Sequence, residues 1–218
     1  MADMLSPTLE QTRSWYDRLS GIYDRMADSS ERPARLRGLR LLNAQRAEHV
    51  LEIGFGTGGA IVALGHAVGR EGRVHGIELS PKMRAKAEEK AAAEGLTNTD
   101  LREGNALALP YPAQSMDALF MSFTLELLND ADQGRLLREA ARVLRPGGRI
   151  AVVYLSAETQ PTWMSRLYEF LHRCFPRYID CHPIDADAPL RQAGFHLTKM
   201  ERFSMWGISG RALLARLA

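Results

Sequence analysis

Apolar positions along this 218-residue chain recur with two different periods. Short runs rich in Val, Leu and Ile mark buried strands, and apolar residues three or four apart mark amphipathic helices. Strands are predicted at Glu48 to Ile53, Arg73 to Glu78, Thr99 to Glu103, Met116 to Phe123 and Arg149 to Leu155. Between them lie helices over Gly59 to Val68, Pro81 to about Glu94, and about Ala131 to Val143. Ser80 is an N-cap with Pro81 at the first helical position, and Gly95 stops that helix. Ahead of the first strand, residues 8–30 read as helical, with Tyr16 and Tyr23 two turns apart on one face. A helix with Pro33 near its start follows to about Ala47. Strands alternating with helices predict a parallel sheet with right-handed crossovers. The end differs: His196 to Phe203 and Ala212 to Leu217 are joined by the loop Ser204 to Arg211, with no helix between, and so pair antiparallel.

The segment Thr162 to Phe175 carries Trp163, Met164, Leu167, Tyr168, Phe170, Leu171, Cys174 and Phe175, a helix apolar over a wide arc. It falls before strand six, on one edge of the sheet, where a lid over an apolar pocket fits, with Met205 and Trp206 on the opposite wall. The chain then divides into a helical cap (1–47), a core (48–155), an insert (156–190) and a terminal strand pair (191–218), all of one domain.

Composition narrows the function classes. Hydrophobic residues make up 45% and charged residues 25%, ordinary for a globular enzyme. A net charge of +2 gives no electrostatic footprint for nucleic acid. The locally basic stretch from Glu31 to Arg46, with Arg32, Arg35, Arg37, Arg40 and Arg46, reads as a solvated helix face and leaves room for weak peripheral contact with a membrane. No apolar run reaches the roughly 18–20 residues that span a bilayer. The first ten residues lack a signal-peptide pattern, so a cytoplasmic protein is expected. Cys174 and Cys181 have no zinc-site spacing and read as reduced thiols, and no metal is expected. A monomer or homodimer fits.

The chemistry concentrates in Val50 to Gly59, Val-Leu-Glu-Ile-Gly-Phe-Gly-Thr-Gly-Gly. A buried strand ends there in a turn whose alternate glycines, Gly54, Gly56 and Gly58, let the backbone approach a ligand. The turn also satisfies Gly-x-Gly-x-x-Gly through Gly54, Gly56 and Gly59, with Glu78 downstream, as dinucleotide sites do. Glu52 argues against that ligand, because a carboxylate beside the first glycine repels a pyrophosphate. A phosphate-free ligand carrying an ammonium and a sulfonium, S-adenosylmethionine (SAM), is instead attracted.

Five blocks in order resemble the class I SAM-dependent methyltransferases: the glycine turn, Ile77-Glu78-Leu79-Ser80-Pro81-Lys82-Met83, Gly104-Asn105-Ala106-Leu107-Ala108-Leu109-Pro110, Met116-Asp117-Ala118-Leu119-Phe120, and Leu144-Arg145-Pro146-Gly147-Gly148. With the paired Tyr-Asp elements before the core, the chain is similar to the branch of ubiquinone/menaquinone C-methyltransferases and bacterial phospholipid N-methyltransferases. The resemblance implies an α/β fold: a Rossmann-like seven-stranded, mostly parallel sheet with an antiparallel last strand, helices on both faces, N-terminal helices and a lid-like insert before strand six. It implies SAM as cofactor and S-adenosylhomocysteine as product. Cofactor contacts are then expected from Tyr23, Glu52, Gly54, Phe55, Gly56, Thr57, Gly58, Glu78, Leu79, Met83, Gly104, Asn105, Ala106, Ser122, Phe123 and Thr124. Glu78 suits the ribose hydroxyls and Asn105, where the family more often has Asp, the adenine amine. Phe55, Phe123, Tyr16 and Tyr23 are candidates to face the sulfonium. Pro146-Gly147-Gly148 reads as a turn that contacts nothing.

Methyl transfer expels a neutral thioether, so alignment carries much of the rate and a base is needed only if the acceptor loses a proton. Candidate bases are Tyr16, Tyr23, His182 and Glu126. The apolar insert implies a small apolar or amphipathic acceptor, quinone-, lipid- or natural-product-like. The quinone enzymes usually carry Arg-Asn after strand four, where this chain has Glu126-Leu127-Leu128-Asn129. A non-catalytic SAM- or lipid-binding module and a nicotinamide oxidoreductase are the other readings.

Overall fold

The computed structural model describes residues 31–157, 183–205 and 207–218. Five strands follow one direction: β1 (His49–Ile53), β2 (Arg73–Glu78), β3 (Thr99–Glu103), β4 (Met116–Ser122) and β5 (Leu144–Leu155). Then come β6 (Phe195–Met205) and β7 (Ile208–Leu217). The sheet order is β3-β2-β1-β4-β5-β7-β6, and β7 runs antiparallel to both neighbours. Order reverses between β1 and β4, which both lie beside the glycine turn; such a switch point opens a ligand crevice beyond the strands' carboxyl ends.

Alternation along the central strands sorts the core into two layers. Val50, Val74, Ala118, Phe120, Ala151 and Val153 meet α1 (31–42) and α2 (Gly59–Val68), with Ala87 and Ala91 of α3 (Pro81–Ala93). Leu51, Ile53, Leu119, Met121, Val152 and Tyr154 meet α4 (Asp130–Val143) and the short α5 (Asp187–Gln192). β1 and β4 are apolar on both faces because helices cover both. Gly38 lets α1 lie close on the sheet: a Cβ there would sit 2.3 Å from Val153 Cγ2 and 2.9 Å from Phe120 Cε2.

The structure departs from the sequence reading in five places. Helix α1 ends at residue 42, short of Ala47, because Asn43 takes a left-handed φ of 48° and its N–H bonds back to Leu39 O. Strand β5 begins at Leu144, since Leu144 pairs with Met116 and Arg149 with Ala118, and the intervening Arg145-Pro146-Gly147-Gly148 turn bulges out of the ladder. That turn does make contacts: Gly147 O accepts from Arg216 Nη1 at 3.1 Å, and Arg145 pairs with Asp117. Most of the expected loop Ser204 to Arg211 is strand, as β6 and β7 pair down to Met205 and Ile208. Helix α5 and a 3-10 turn at Leu125–Leu127 were not anticipated; at six and three residues they are too short to show a period.

Candidate active site

The glycine turn joins β1 to α2 at the carboxyl edge. Its glycines divide the work differently from the expectation. A Cβ on Gly54 would lie 2.4 Å from Thr124 Oγ1, and one on Gly58 would lie 2.8 Å from Ala87 Cβ, so both are close-packing positions with positive φ. Only Gly56 faces open space, with Met83 Sδ its nearest neighbour at 3.9 Å. Thr124 is committed to this scaffold, its hydroxyl lying 3.2 Å from Ile53 O and 3.2 Å from Ser122 O.

Two carboxylates meet the turn. Glu78 Oε2 accepts Gly56 N–H at 3.0 Å and its Oε1 accepts Ser80 N–H at 3.0 Å. One side chain thus holds the turn and the start of α3. Glu52 is 3% exposed and its Oε2 has no hydrogen-bond partner among the described residues. Burial pushes its carboxyl up to about 8, against the lowering field of Arg35, with Glu78 adding to the rise. A buried carboxyl oxygen without a donor is costly unless a ligand supplies one.

Arg35, which the sequence reading places on a solvated helix face, stands against the turn instead. From α1 its guanidinium lies over the first residue of α2, so close that a Cβ on Gly59 would stand 2.7 Å from Arg35 Cζ. The period of Ala34, Gly38 and Leu42, buried four residues apart, was the available signal that this helix turns one side onto the sheet.

Beyond β3, Asn105 Oδ1 accepts Leu107 N–H at 2.9 Å, which leaves its amide N–H groups as donors at the edge. The loop is tied down from α4, where Arg142 donates to Tyr111 O and Leu109 O, both at 2.9 Å, and Glu139 accepts Leu109 N–H at 2.8 Å. Met83 is buried, Leu79, Thr57, Ala106 and Ser122 are half-buried, and Gly104 packs against Ile77. Phe55 and Phe123 belong to the core, Phe55 against Gly76 and Phe123 edge-on to Phe203, rather than to an open ligand face. Phe123 adopts a φ of 54°, a left-handed turn that swings the chain across the mouth after β4. The next turn carries Glu126, fully buried, with Oε1 accepting Leu155 N–H at 3.2 Å and Oε2 unpartnered among the described residues. Burial holds its carboxyl up at about 8. Tyr16, Tyr23, His182, most of the insert and Trp206 lie outside the described residues.

Glu78, Glu52 and Ser122 therefore stand at the ends of successive strands along one edge, with Asn105 just past β3 and Glu126 in the turn after β4. The unsatisfied Glu52 oxygen and the open cradle at Gly56 fit a ligand with an ammonium group and no phosphate.

Comparison with known proteins agrees. The methyltransferase domain family matches residues 50–148. The demethylmenaquinone methyltransferase of Geobacillus kaustophilus (strain HTA426) is 35% identical over 170 residues, covering 75% of this chain and 70% of that one. That of Halalkalibacterium halodurans is 36% identical over 135 residues, 62% of this chain and 54% of its own. Among solved structures, the [4+2]-cyclase SpnF superposes with a TM-score of 0.77 at 19% identity over 97% of both chains. A SAM-dependent methyltransferase from Aquifex aeolicus gives 0.67 at 19% identity over 93% of this chain and 98% of that one. The last two show the fold; the first three, with the glycine turn and its acids, place this chain in the class I SAM-dependent methyltransferases, in their quinone branch.

Proposed function

We propose that this enzyme methylates a small apolar or amphipathic acceptor of quinone, lipid or natural-product type. The relatives' names support a quinone-like ring, and the buried apolar cluster of Met205, Ile208 and Phe123, with Phe203 packed against it, backs the sheet edge beyond β4 and β6. Bound SAM supplies an activated methyl on a sulfonium whose leaving group is neutral. The chain's own contribution is to hold, orient and exclude water. Glu52 takes the ammonium, replacing the donor its Oε2 lacks. Arg35 answers the α-carboxylate, assisted by the amino end of α2. Glu78 accepts the ribose hydroxyls, Asn105 and Ala106 border the adenine, and Leu79 and Met83 wall it. Gly54, Phe55, Thr57, Gly58, Gly104, Phe123 and Thr124 shape this cradle, with Ser122 at its mouth. Tyr16, Tyr23 and His182 are proposed for the acceptor side, with 1–47 as the cap and 156–190 as the acceptor-side insert.

The observation that carries the donor assignment is the lone buried oxygen of Glu52. Calorimetry of the purified protein with SAM and with NAD checks it. Wild type is expected to bind SAM and not NAD. Glu52→Gln is expected to weaken SAM by about 1.5–3 kcal/mol, the scale of a charged hydrogen bond. Unaltered SAM affinity in the folded variant would refute the role given to Glu52.

A further inference from the structure

Glu126 repeats, on the other side of the sheet's midline, the condition found at Glu52. It is wholly buried, and only one of its oxygens is used. The used oxygen, Oε1, accepts Leu155 N–H at 3.2 Å and so ties the turn after β4 to the last residue of β5. For that tie an amide would serve as well. A carboxyl in its place carries a desolvation cost with no fold-level return. The second oxygen, Oε2, has no donor among the described residues.

Its position says what could supply one. Along the carboxyl edge the strand ends run β3, β2, β1, β4, β5, roughly 4.8 Å apart. The donor-binding groups occupy the first three: Asn105 after β3, Glu78 on β2, Glu52 on β1. A donor lying along that edge with its amino-acid end over β1 leaves β4 and β5 for the acceptor. Glu126 links those two ends. Phe123, with its left-handed backbone, and Thr124, bonded back to Ile53 O, keep this turn fixed against the glycine loop. Among charged neighbours, Glu31 of α1 bears on Glu126 and raises its proton affinity further, while its own N–H and that of Leu155 lower it. On β5, β7 and α5, Tyr154, Arg211 and Asp187 interact with one another, the last two 3.8 Å apart, and Tyr154 packs in the α4 layer.

We propose that Glu126 Oε2 is the base that takes the proton from the hydroxyl or amine of the methyl acceptor. The inference rests on the reading that the acceptor is small and amphipathic and sits at this edge. The step balances. A lone pair of the acceptor forms the bond to the methyl carbon. The methyl–sulfur bond breaks with its pair going to sulfur, leaving a neutral thioether. The acceptor's proton passes to the Glu126 carboxylate, which returns it to water after release. An acceptor hydroxyl or amine is thus the chemical class that Glu126 selects. For a hydroquinone, loss of the hydroxyl proton also activates the ring carbon; its π pair then forms the bond to the methyl, and the ring C–H proton is lost as the oxygen is reprotonated, restoring the aromatic ring.

The test compares wild type with Glu126→Gln, which keeps a carbonyl oxygen for Leu155 N–H. Two probes are used: a 1,4-naphthohydroquinone bearing a short prenyl chain for the hydroxyl, and dodecylamine for the amine. SAM affinity is expected to stay within about two-fold, reporting an intact donor site. Infrared difference spectra of wild type are expected to show protonated carboxyl absorption from Glu52 and Glu126 that disappears as pH rises through about 8, with the Glu126 band, defined by subtracting the variant's spectrum, missing in the variant. Binding of one probe to the S-adenosylhomocysteine-loaded protein should shift that band. Turnover of that probe should rise with pH through the same range in wild type. It should fall at least about 100-fold in the variant, with the pH dependence gone. A probe that binds without moving the band, or a variant that turns it over at the wild-type rate, overturns the assignment of Glu126 alone. Failure of both probes to bind overturns the acceptor reading along with it. Should Glu126→Gln lose SAM binding, Glu126→Asp replaces it. That variant is expected to be slower with the pH dependence retained, and a wild-type rate that is flat from pH 7 to 9 overturns the proposal.

Discussion

At the scale of single residues, the two buried carboxyls of Glu52 and Glu126 leave a mark on stability. Each is held as a neutral acid by burial, with its proton lost only near pH 8 in the folded state and near the usual carboxylate range in the unfolded chain. The folded state therefore binds more protons between roughly pH 4.5 and 8, and stability falls as pH rises across that window. His75, whose proton affinity is lowered mainly by burial, works in the opposite direction below about pH 6.5. The difference between wild type and Glu52→Gln isolates one acid from that background. Urea unfolding of the ligand-free proteins is expected to show the variant gaining stability over wild type as pH goes from 5 to 8. The gain should reach a few kcal/mol and level off above pH 8. Saturating SAM should reduce it, because an ammonium beside Glu52 favours the charged form. A constant difference across pH would mean that Glu52 is ionised in the ligand-free protein.

At the scale of elements, helix α1 couples the fold to the site. Its Gly38 touches Val153 and Phe120, and Arg35 on the same helix reaches Gly59. Gly38→Val places bulk 2.3 Å from Val153 Cγ2 and lifts the helix. The variant is expected to lose roughly 1–3 kcal/mol of stability, the usual cost of overpacking. It should also weaken SAM several-fold while leaving 5′-methylthioadenosine, which has no carboxylate for Arg35, nearly unaffected. Equal weakening of both ligands in calorimetry would count against a carboxylate role for Arg35. This helix also shows where sequence reading reached its limit. Its existence followed from pattern, as did β1 to β4, α2, α3 and α4, because each is long enough to display a period or carries its own caps. The role of Arg35 was hidden, since a cation on a basic helix looks the same whether it meets water or a neighbouring helix start. Likewise the Arg145 to Gly148 bulge needed the partner strand to become visible: only the pairing of Met116 with Leu144 shows that the ladder resumes on its far side. The placement of Glu52 and Glu78 beside the glycine turn was legible, because each stands at the end of a strand that reaches that turn. The fact that Glu52 Oε2 stands without a donor was not, because satisfaction of a buried group is a property of packing.

At the scale of the whole molecule, the sheet separates two tasks. In the proposed reading, strand ends β1 to β3 hold the donor, and β4, β5 and the β6–β7 pair border the space left for an acceptor. Among the described residues no helix is long and apolar enough to cross a membrane. The chain leaves the sheet after β5 and returns before α5 through one parallel bridge, Ser156 to Ile184, flanked by Ala157 N–H to Ile184 O at 3.0 Å and Ile184 N–H to Leu155 O at 2.9 Å. That bridge works as a socket. Whatever chain lies between its two halves begins and ends at fixed points, and closing a longer loop costs only about 0.6 kcal/mol per doubling. Exchanging residues 158–182 for the corresponding segment of another methyltransferase is therefore expected to preserve the unfolding midpoint within a few degrees and SAM affinity within a few-fold, while changing which acceptor is consumed. A swap that abolished SAM binding would show the segment to be part of the donor site instead. Selection acting on such a socket can retune substrate choice without disturbing the cofactor, which makes the hydrogen-bonded neck at Ser156 a point of evolvability as much as of structure.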